Sequence, residues 1–172
     1  WWQCREVLRR LDLELPSEAQ WEMAARGGTT TRWWTGEAEP SLSGKVNLAD
    51  RTARELGAAW PSIDDRLEDG ALIHVPVGTY APNPYGLHEI LGNVSELCLD
   101  GQAQEPVYGP GRPLDPVIPW EISGWRIYRG GNFNDPPGRA RSSFREFVAP
   151  EAELGVTGLR PALVPLTFQA NF

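Results

Sequence analysis

Between Gly86 and Leu97 the chain reads Gly-Leu-His-Glu-Ile-Leu-Gly-Asn-Val-Ser-Glu-Leu, which gathers Glu89, Gly92, Asn93 and Glu96 into one tight turn of backbone. Carboxylates, a carboxamide and backbone carbonyls are hard oxygen donors, the set that Ca²⁺ prefers. The competing reading is that Glu89 and Glu96 are solvated or helix-dipole charges with no metal. Other chemistry-bearing residues are sparse. His74 and His88 are the only histidines, and His74 sits in an apolar stretch where a packed or surface residue is the simpler reading. Cys4 and Cys98 lack zinc-ligand spacing and read as small buried hydrophobes, with their pairing left open. The Asp64–Gly70 run is not an EF-hand loop, because Arg66 and Leu67 stand where ligands would be needed. No Gly-x-Ser-x-Gly, phosphate loop or zinc motif is present.

These residues must be positioned by few regular elements. Cys4, Val7, Leu8 and Leu11 follow the i, i+3, i+4, i+7 rule and predict an amphipathic first helix. A second helix is marked by the capping box Ser17-Glu18-Ala19-Gln20, with Trp21, Ala24 and Ala25 facing inward and Gly27-Gly28 as its stop. Arg51 to Leu56 reads as a short helical turn. Strands are expected over Leu72–Val77, Glu96–Leu99, Trp125–Arg129, Arg139–Val148 and Thr157–Leu163, with a Pro/Gly-rich loop over Gln102–Pro119. No βαβ rhythm appears, which argues against a doubly wound parallel sheet. Long ordered loops need a function or a staple, and bound Ca²⁺ would be one.

The 172 residues suffice for one domain with its own core, and 41% hydrophobic content is a globular value. A net charge of −7, from 16 basic and 23 acidic residues, argues against nucleic acid as a partner. Lys45 stands alone among the arginines, a bias of GC-rich genomes. No apolar run reaches the length of a membrane span. The chain starts at Trp1-Trp2 without Met, so an upstream segment is expected, and cytoplasmic and cell-surface locations both stay open.

Four blocks in order resemble the formylglycine-generating-enzyme-like (sulfatase-modifying factor) domains. They are Leu15-Pro16-Ser17-Glu18-Ala19-Gln20-Trp21-Glu22-Met23-Ala24-Ala25-Arg26-Gly27-Gly28, then Gly86 to Leu97, then Tyr128-Arg129-Gly130-Gly131-Asn132-Phe133, and finally Gly158-Leu159-Arg160. The second block departs from the family's Gly-Asn-Val-Trp-Glu-Trp, with Ser95 and Leu97 at the two Trp positions. The resemblance implies an α+β, C-type-lectin-like fold of the formylglycine-generating-enzyme type: two short helices, twisted antiparallel strands and long loops. Residues 1–172 would form one such domain lacking its N-terminal strand region. It also implies structural Ca²⁺ at two places. One would use Glu89, Glu96 and the carbonyls of Gly92 and Val94. The other would use Asn47 and Asp69 with the carbonyls of Leu48 and Ala71.

The same resemblance bears on activity. The oxidase of the family holds copper on two cysteines after its Gly-Gly block, and soft thiolates suit Cu(I). Asn132 to Arg141 has no cysteine, and none follows Cys98. The iron-dependent sulfoxide synthases take histidine ligands from a separate domain, which would have to lie outside this chain. The expectation is therefore a non-catalytic module binding a protein or other macromolecular ligand, like the variable proteins of diversity-generating retroelements. One alternative is a sensor or adaptor domain of a bacterial kinase or NTPase signalling or defence protein, and another is a metal-dependent oxidase or sulfoxide synthase of the same family with its metal ligands outside this chain. The contact residues of the recognition module would be Asn132, Phe133, Asn134, Asp135, Arg139, Arg141, Ser143, Arg145 and Phe147, since Arg and aromatics anchor interfaces. Alternatively, Arg139 to Phe147 is an ordinary strand with solvated arginines.

Overall fold

The computed structural model describes residues 1–102, 117–119, 121 and 124–163. Most of the expected Gln102–Pro119 loop lies outside them. Helix α1 spans Trp2–Arg9. Of the four predicted inward residues, Cys4 and Leu8 pack inside with Trp1, Leu15, Leu97 and Val148, whereas Val7 and Leu11 are exposed. Trp1 anchors this end of the helix, its indole N–H donating to the Cys98 carbonyl at 2.8 Å.

Helix α2, Glu18–Arg26, forms as its sequence predicts. Ser17 accepts from Gln20 N, Gln20 reciprocates, and Gly27 closes the helix in the left-handed region. Trp21 and Ala25 are buried, and Trp21 anchors the main core with Trp33, Leu48, Ile90 and Ile127. Helix α3, Arg51–Glu55, is capped by the Asp50 carboxylate.

Strand β1, Leu13–Glu14, pairs antiparallel with β6, Ala162–Leu163. The main sheet has the order β4-β3-β2-β5, from β2 Ser95–Gly101, β3 Arg126–Arg129, β4 Glu146–Val148 and β5 Thr157–Leu159. Its pairs are antiparallel except β2 with β5, which run parallel. The helices sit together at the start of the chain, giving the α+β lectin-like arrangement.

Three predicted strands differ. Leu72–Val77 is not a strand. Asparagine side chains replace a neighbouring strand there: Asn93 bonds both Val75 N and Val75 O, and Asn47 donates to Ile73 O. Arg139–Val148 begins as a 3₁₀ turn at Pro137–Ala140 and becomes strand only at Glu146. Thr157–Leu163 divides into β5 and β6 around Pro161, which has no N–H for a ladder.

Two glycines allow close backbone approach. At Gly92 (φ +70°) a Cβ would fall 2.2 Å from the Asn47 carbonyl oxygen. At Gly130 (φ +96°) it would lie 3.1 Å from Ile90 O and from the Trp21 ring. These contacts fix the first three sequence blocks against one another.

Candidate functional site

The second block forms a buried polar hub. Asn93, at φ +61°, donates from its backbone to Asn47 O (2.9 Å) and accepts from Phe133 N (3.0 Å). Its side-chain oxygen accepts from Val75 N (2.8 Å) and Asn47 Nδ2 (3.2 Å). One residue thereby ties the 47, 75 and 133 segments together.

The structure places Glu89 and Glu96 with separate partners. Glu89, at φ +45°, accepts from Gly78 N (2.7 Å) and Tyr80 N (2.9 Å). Glu96, on β2, accepts from Trp21 Nε1 (2.8 Å) and, through both oxygens, from Arg160 (2.9 and 2.7 Å). Arg160 also donates to His88 O at 2.8 Å. Burial raises the Glu96 carboxyl above the usual range, and the Arg160 charge works against that rise. Arg160, legible in the sequence only as part of the closing block, is the cation that faces Glu96. Gly92 and Val94 lie between the two acids, and Gly92 N donates to Gly130 O (2.8 Å). The donor set at Glu96 thus already contains a positive charge.

The Asn47–Asp69 region is different. Asn47 is 1% exposed, and its Oδ1 has no hydrogen-bond donor. Asp69 accepts from Leu48 N and Ala71 N, each at 2.8 Å. Burial, reinforced by the Asp50 charge, pushes its carboxyl up to about 6. Asp50, fully buried, accepts from Ala53 N at 3.0 Å and from Asp69 N at 2.5 Å. The Tyr80 hydroxyl donates to Asp69 O at 3.1 Å. Its ionisation is pushed up by burial and then by the charges of Asp69, Asp50 and Glu89. A buried carboxamide oxygen without a donor costs stability, and the nearby carboxylates face backbone N–H groups. The unpartnered Asn47 Oδ1 and the Asp69 carboxylate are oxygen donors of the kind a hard cation takes, with Asp69 already accepting from two backbone N–H groups. Among the described residues no group of three or more His, Cys, Asp or Glu side chains could hold a metal, so neutral oxygens would have to complete such a site.

The segment after Gly130-Gly131 divides by burial. Asn132 and Asp135 turn inward, with Asn132 Nδ2 donating to Asp135 (2.7 Å) and to Ser95 Oγ (3.3 Å). Burial raises the Asp135 carboxyl. Arg145 grips the fully buried Glu18 with two bonds, at 2.5 and 2.7 Å. Glu18 also pairs with the buried Arg129, which reaches Glu22 at 2.6 Å. This network is structural, and sequence reasoning missed it because the partners are over a hundred residues apart. Arg139 bonds Glu146 at 2.6 Å across the surface. Arg141 and Ser143 are exposed, with Arg141 over the Phe144 ring at 5.8 Å. Phe147 is exposed on β4 with Arg145 over it.

Phe133 and Asn134 remain half-exposed. Phe133 meets Trp60 at 5.7 Å and His74 at 6.2 Å between ring centroids. Trp60 and His74 had no sequence signal as site residues, because loops distant in sequence bring them together.

The comparisons agree with this architecture. The "Sulfatase-modifying factor enzyme 1-like domain" family model matches residues 1–164. The "Formylglycine-generating enzyme" of Thermomonospora curvata is 35% identical over 159 residues, covering 88% of this chain and 50% of that protein. "Serine/threonine-protein kinase pkn1" of Chlamydia pneumoniae is 31% identical over 157 residues, covering 86% of this chain and 20% of the kinase. The chain thus spans half or less of these relatives' length. Among solved structures, "Treponema denticola variable protein 1" superposes with a TM-score of 0.70 at 28% identity, covering 89% of this chain and 48% of that one. PvdO from Pseudomonas aeruginosa superposes at 0.73 with 23% identity, over 91% of this chain and 57% of that one, a likeness of fold. With four blocks in register, the lectin-like sheet and a family match over residues 1–164, the chain belongs to the sulfatase-modifying factor enzyme 1-like domain family.

Proposed function

We propose that this chain is a non-catalytic recognition domain for a protein or other macromolecular partner, on a scaffold braced by Ca²⁺. One observation carries the reading. The segment after Gly130-Gly131, which has no cysteine, sets the half-exposed Phe133 against Trp60 and His74, with the half-exposed Asn134 next to it in sequence. Cys98 is fully buried on β2, where burial raises its thiol well above the usual range. A thiol held protonated is neither a nucleophile nor a ready metal ligand. The likeness to a variable protein supports recognition as the use of this scaffold.

Asn47, Asp69 and the carbonyls of Leu48 and Ala71 would hold the ion. It would neutralise buried carboxylates and fix the 47–50 and 69–71 loops, with no part in a reaction. Arg160 provides the corresponding charge at Glu96.

The match to a chlamydial kinase favours a second reading, in which the domain serves as the sensing or adaptor part of a longer bacterial signalling protein. Both readings predict that the copper-supplied chain, given oxygen and a cysteine-containing sulfatase peptide, leaves the cysteine unconverted by mass spectrometry. Formylglycine formation would refute them. Calcium analysis of protein purified without chelator tests the brace, and a metal-free, chelator-insensitive fold would remove it.

A further inference from the structure

Surface arginines of this protein are neutralised by its own carboxylates, with one exception. Among the described residues, every exposed or half-exposed arginine other than Arg141 is ion-paired with an Asp or Glu. Arg141 is exposed and pairs with none of them. The chain has 23 acidic residues against 16 basic ones, so carboxylates are not scarce. The fold leaves this guanidinium open to an anion from outside.

Arg141 is also held in place. Its Nε donates to Gly138 O at 2.9 Å, and its guanidinium lies over the Phe144 ring at 5.8 Å. Nη1 and Nη2 have no acceptor among the described residues. A tight turn, closed by Phe144 N donating to Arg141 O at 2.9 Å, contains Ser143. Ser143 is exposed, and neither its backbone N–H nor its hydroxyl bonds a described residue. One turn therefore carries a guanidinium edge, an amide N–H and a hydroxyl, all able to donate. The turn is braced on both sides. Ser142 N donates to Arg32 O at 2.9 Å, Arg139 bonds Glu146 at 2.6 Å, and Arg145 holds the buried Glu18. A braced loop loses little freedom when a ligand binds.

Shape and charge select the ligand. Donors without an acceptor suit an oxyanion, and a carboxylate offers two coplanar oxygens to the guanidinium fork. A polyanion is disfavoured. The neighbouring Arg139 and Arg145 are already committed to Glu146 and Glu18, and the whole chain carries −7. One open cation therefore answers one negative charge.

We propose that Arg141 and Ser143 form a receptor for an aspartate or glutamate side chain presented by a protein partner. This rests on the recognition reading and names the chemistry of its ligand. The test pans the intact chain with a phage-displayed library of random peptides and measures the enriched peptides by fluorescence polarisation. They should share an acidic residue whose change to Asn or Gln weakens binding at least about tenfold. Arg141→Gln should cause a similar loss, and the two changes together should cost little more than either alone. Arg141→Lys, which keeps the charge without the fork, should recover only part of the affinity. Arg10→Gln, which removes a paired surface arginine on α1, should change binding by less than about twofold. The peptide substitutions keep the test valid if Arg141→Gln does not fold by circular dichroism. A library without binders, binders without a shared acid, additive losses, or an equal loss in Arg10→Gln overturns the proposal. Displacement by inorganic phosphate, but not by acetate at equal ionic strength, would assign the turn to a phosphate group and overturn it too. Each of those results sinks this inference alone. Formylglycine formation sinks the recognition reading on which it rests.

Discussion

Replacing Arg160 with methionine isolates the counter-charge of Glu96. Arg160→Met keeps much of the side-chain volume and removes two hydrogen bonds to Glu96 and one to His88 O. Glu96 then retains Trp21 Nε1 as its remaining observed donor. Its side chain is 6% exposed and that of Arg160 is 24% exposed. Breaking a fully buried pair costs about 3–5 kcal/mol, because one charge is left without compensation. The partial exposure of Arg160 lowers the expected cost to about 2–4 kcal/mol at pH 7. At ~2–4 °C per kcal/mol for a chain of this size, the melting midpoint should fall by roughly 5–15 °C. The loss should depend on pH in a definite direction. Burial alone raises the Glu96 carboxyl, so in the variant its folded pKa lies above the unfolded value of about 4.3. The native state then binds the proton more tightly, and stability declines as pH rises from about 4.3 through the folded pKa. The deficit is therefore complete above the folded pKa and shrinks on acidification. Urea unfolding at pH 7 and pH 5, with EDTA and with added Ca²⁺, measures each quantity. An unchanged midpoint at pH 7 would refute the pairing argument. Full rescue by Ca²⁺ would show that a metal can replace the guanidinium at Glu96.

Gly92→Ala should lower stability by well over the ~1–2 kcal/mol of a left-handed backbone penalty, since its Cβ would meet Asn47 O at 2.2 Å; denaturant midpoints report it. Asp69→Asn should weaken the rise in melting temperature produced by Ca²⁺, whereas an equal rise in variant and wild type would remove Asp69 from the ion's ligands. Arg145→Ala should cost about 1–3 kcal/mol through its lost bonds to Glu18, and Arg141→Ala, at an exposed position, should stay within about 0.5 kcal/mol; paired thermal melts separate them.

The local devices were legible because their partners are close in sequence. Ser17 and Gln20 form the capping box three residues apart, and Gly27 stops the same helix through its own backbone freedom. The four blocks likewise carried the fold, since Gly92 and Gly130 allow backbone approaches that the family arrangement requires. Periodicity misassigned Leu72–Val77 because Asn47 and Asn93 satisfy its backbone from distant positions. The first helix was found with Cys4 and Leu8 inside, but its anchor, Trp1 reaching Cys98, is a contact no spacing rule contains.

The candidate sites divide in the same way. The sequence by itself determined which residues could supply oxygen, and it showed that no cysteine follows Cys98. Tertiary structure decided how they are used. It gave Glu96 to Arg160, left Asn47 Oδ1 without a donor, turned Asn132, Asp135 and Arg145 inward, and brought Trp60 and His74 to Phe133. The physical reason is range. Caps and turns are satisfied within a few residues, whereas a buried charge or an exposed ring takes its partner from whatever the fold brings beside it.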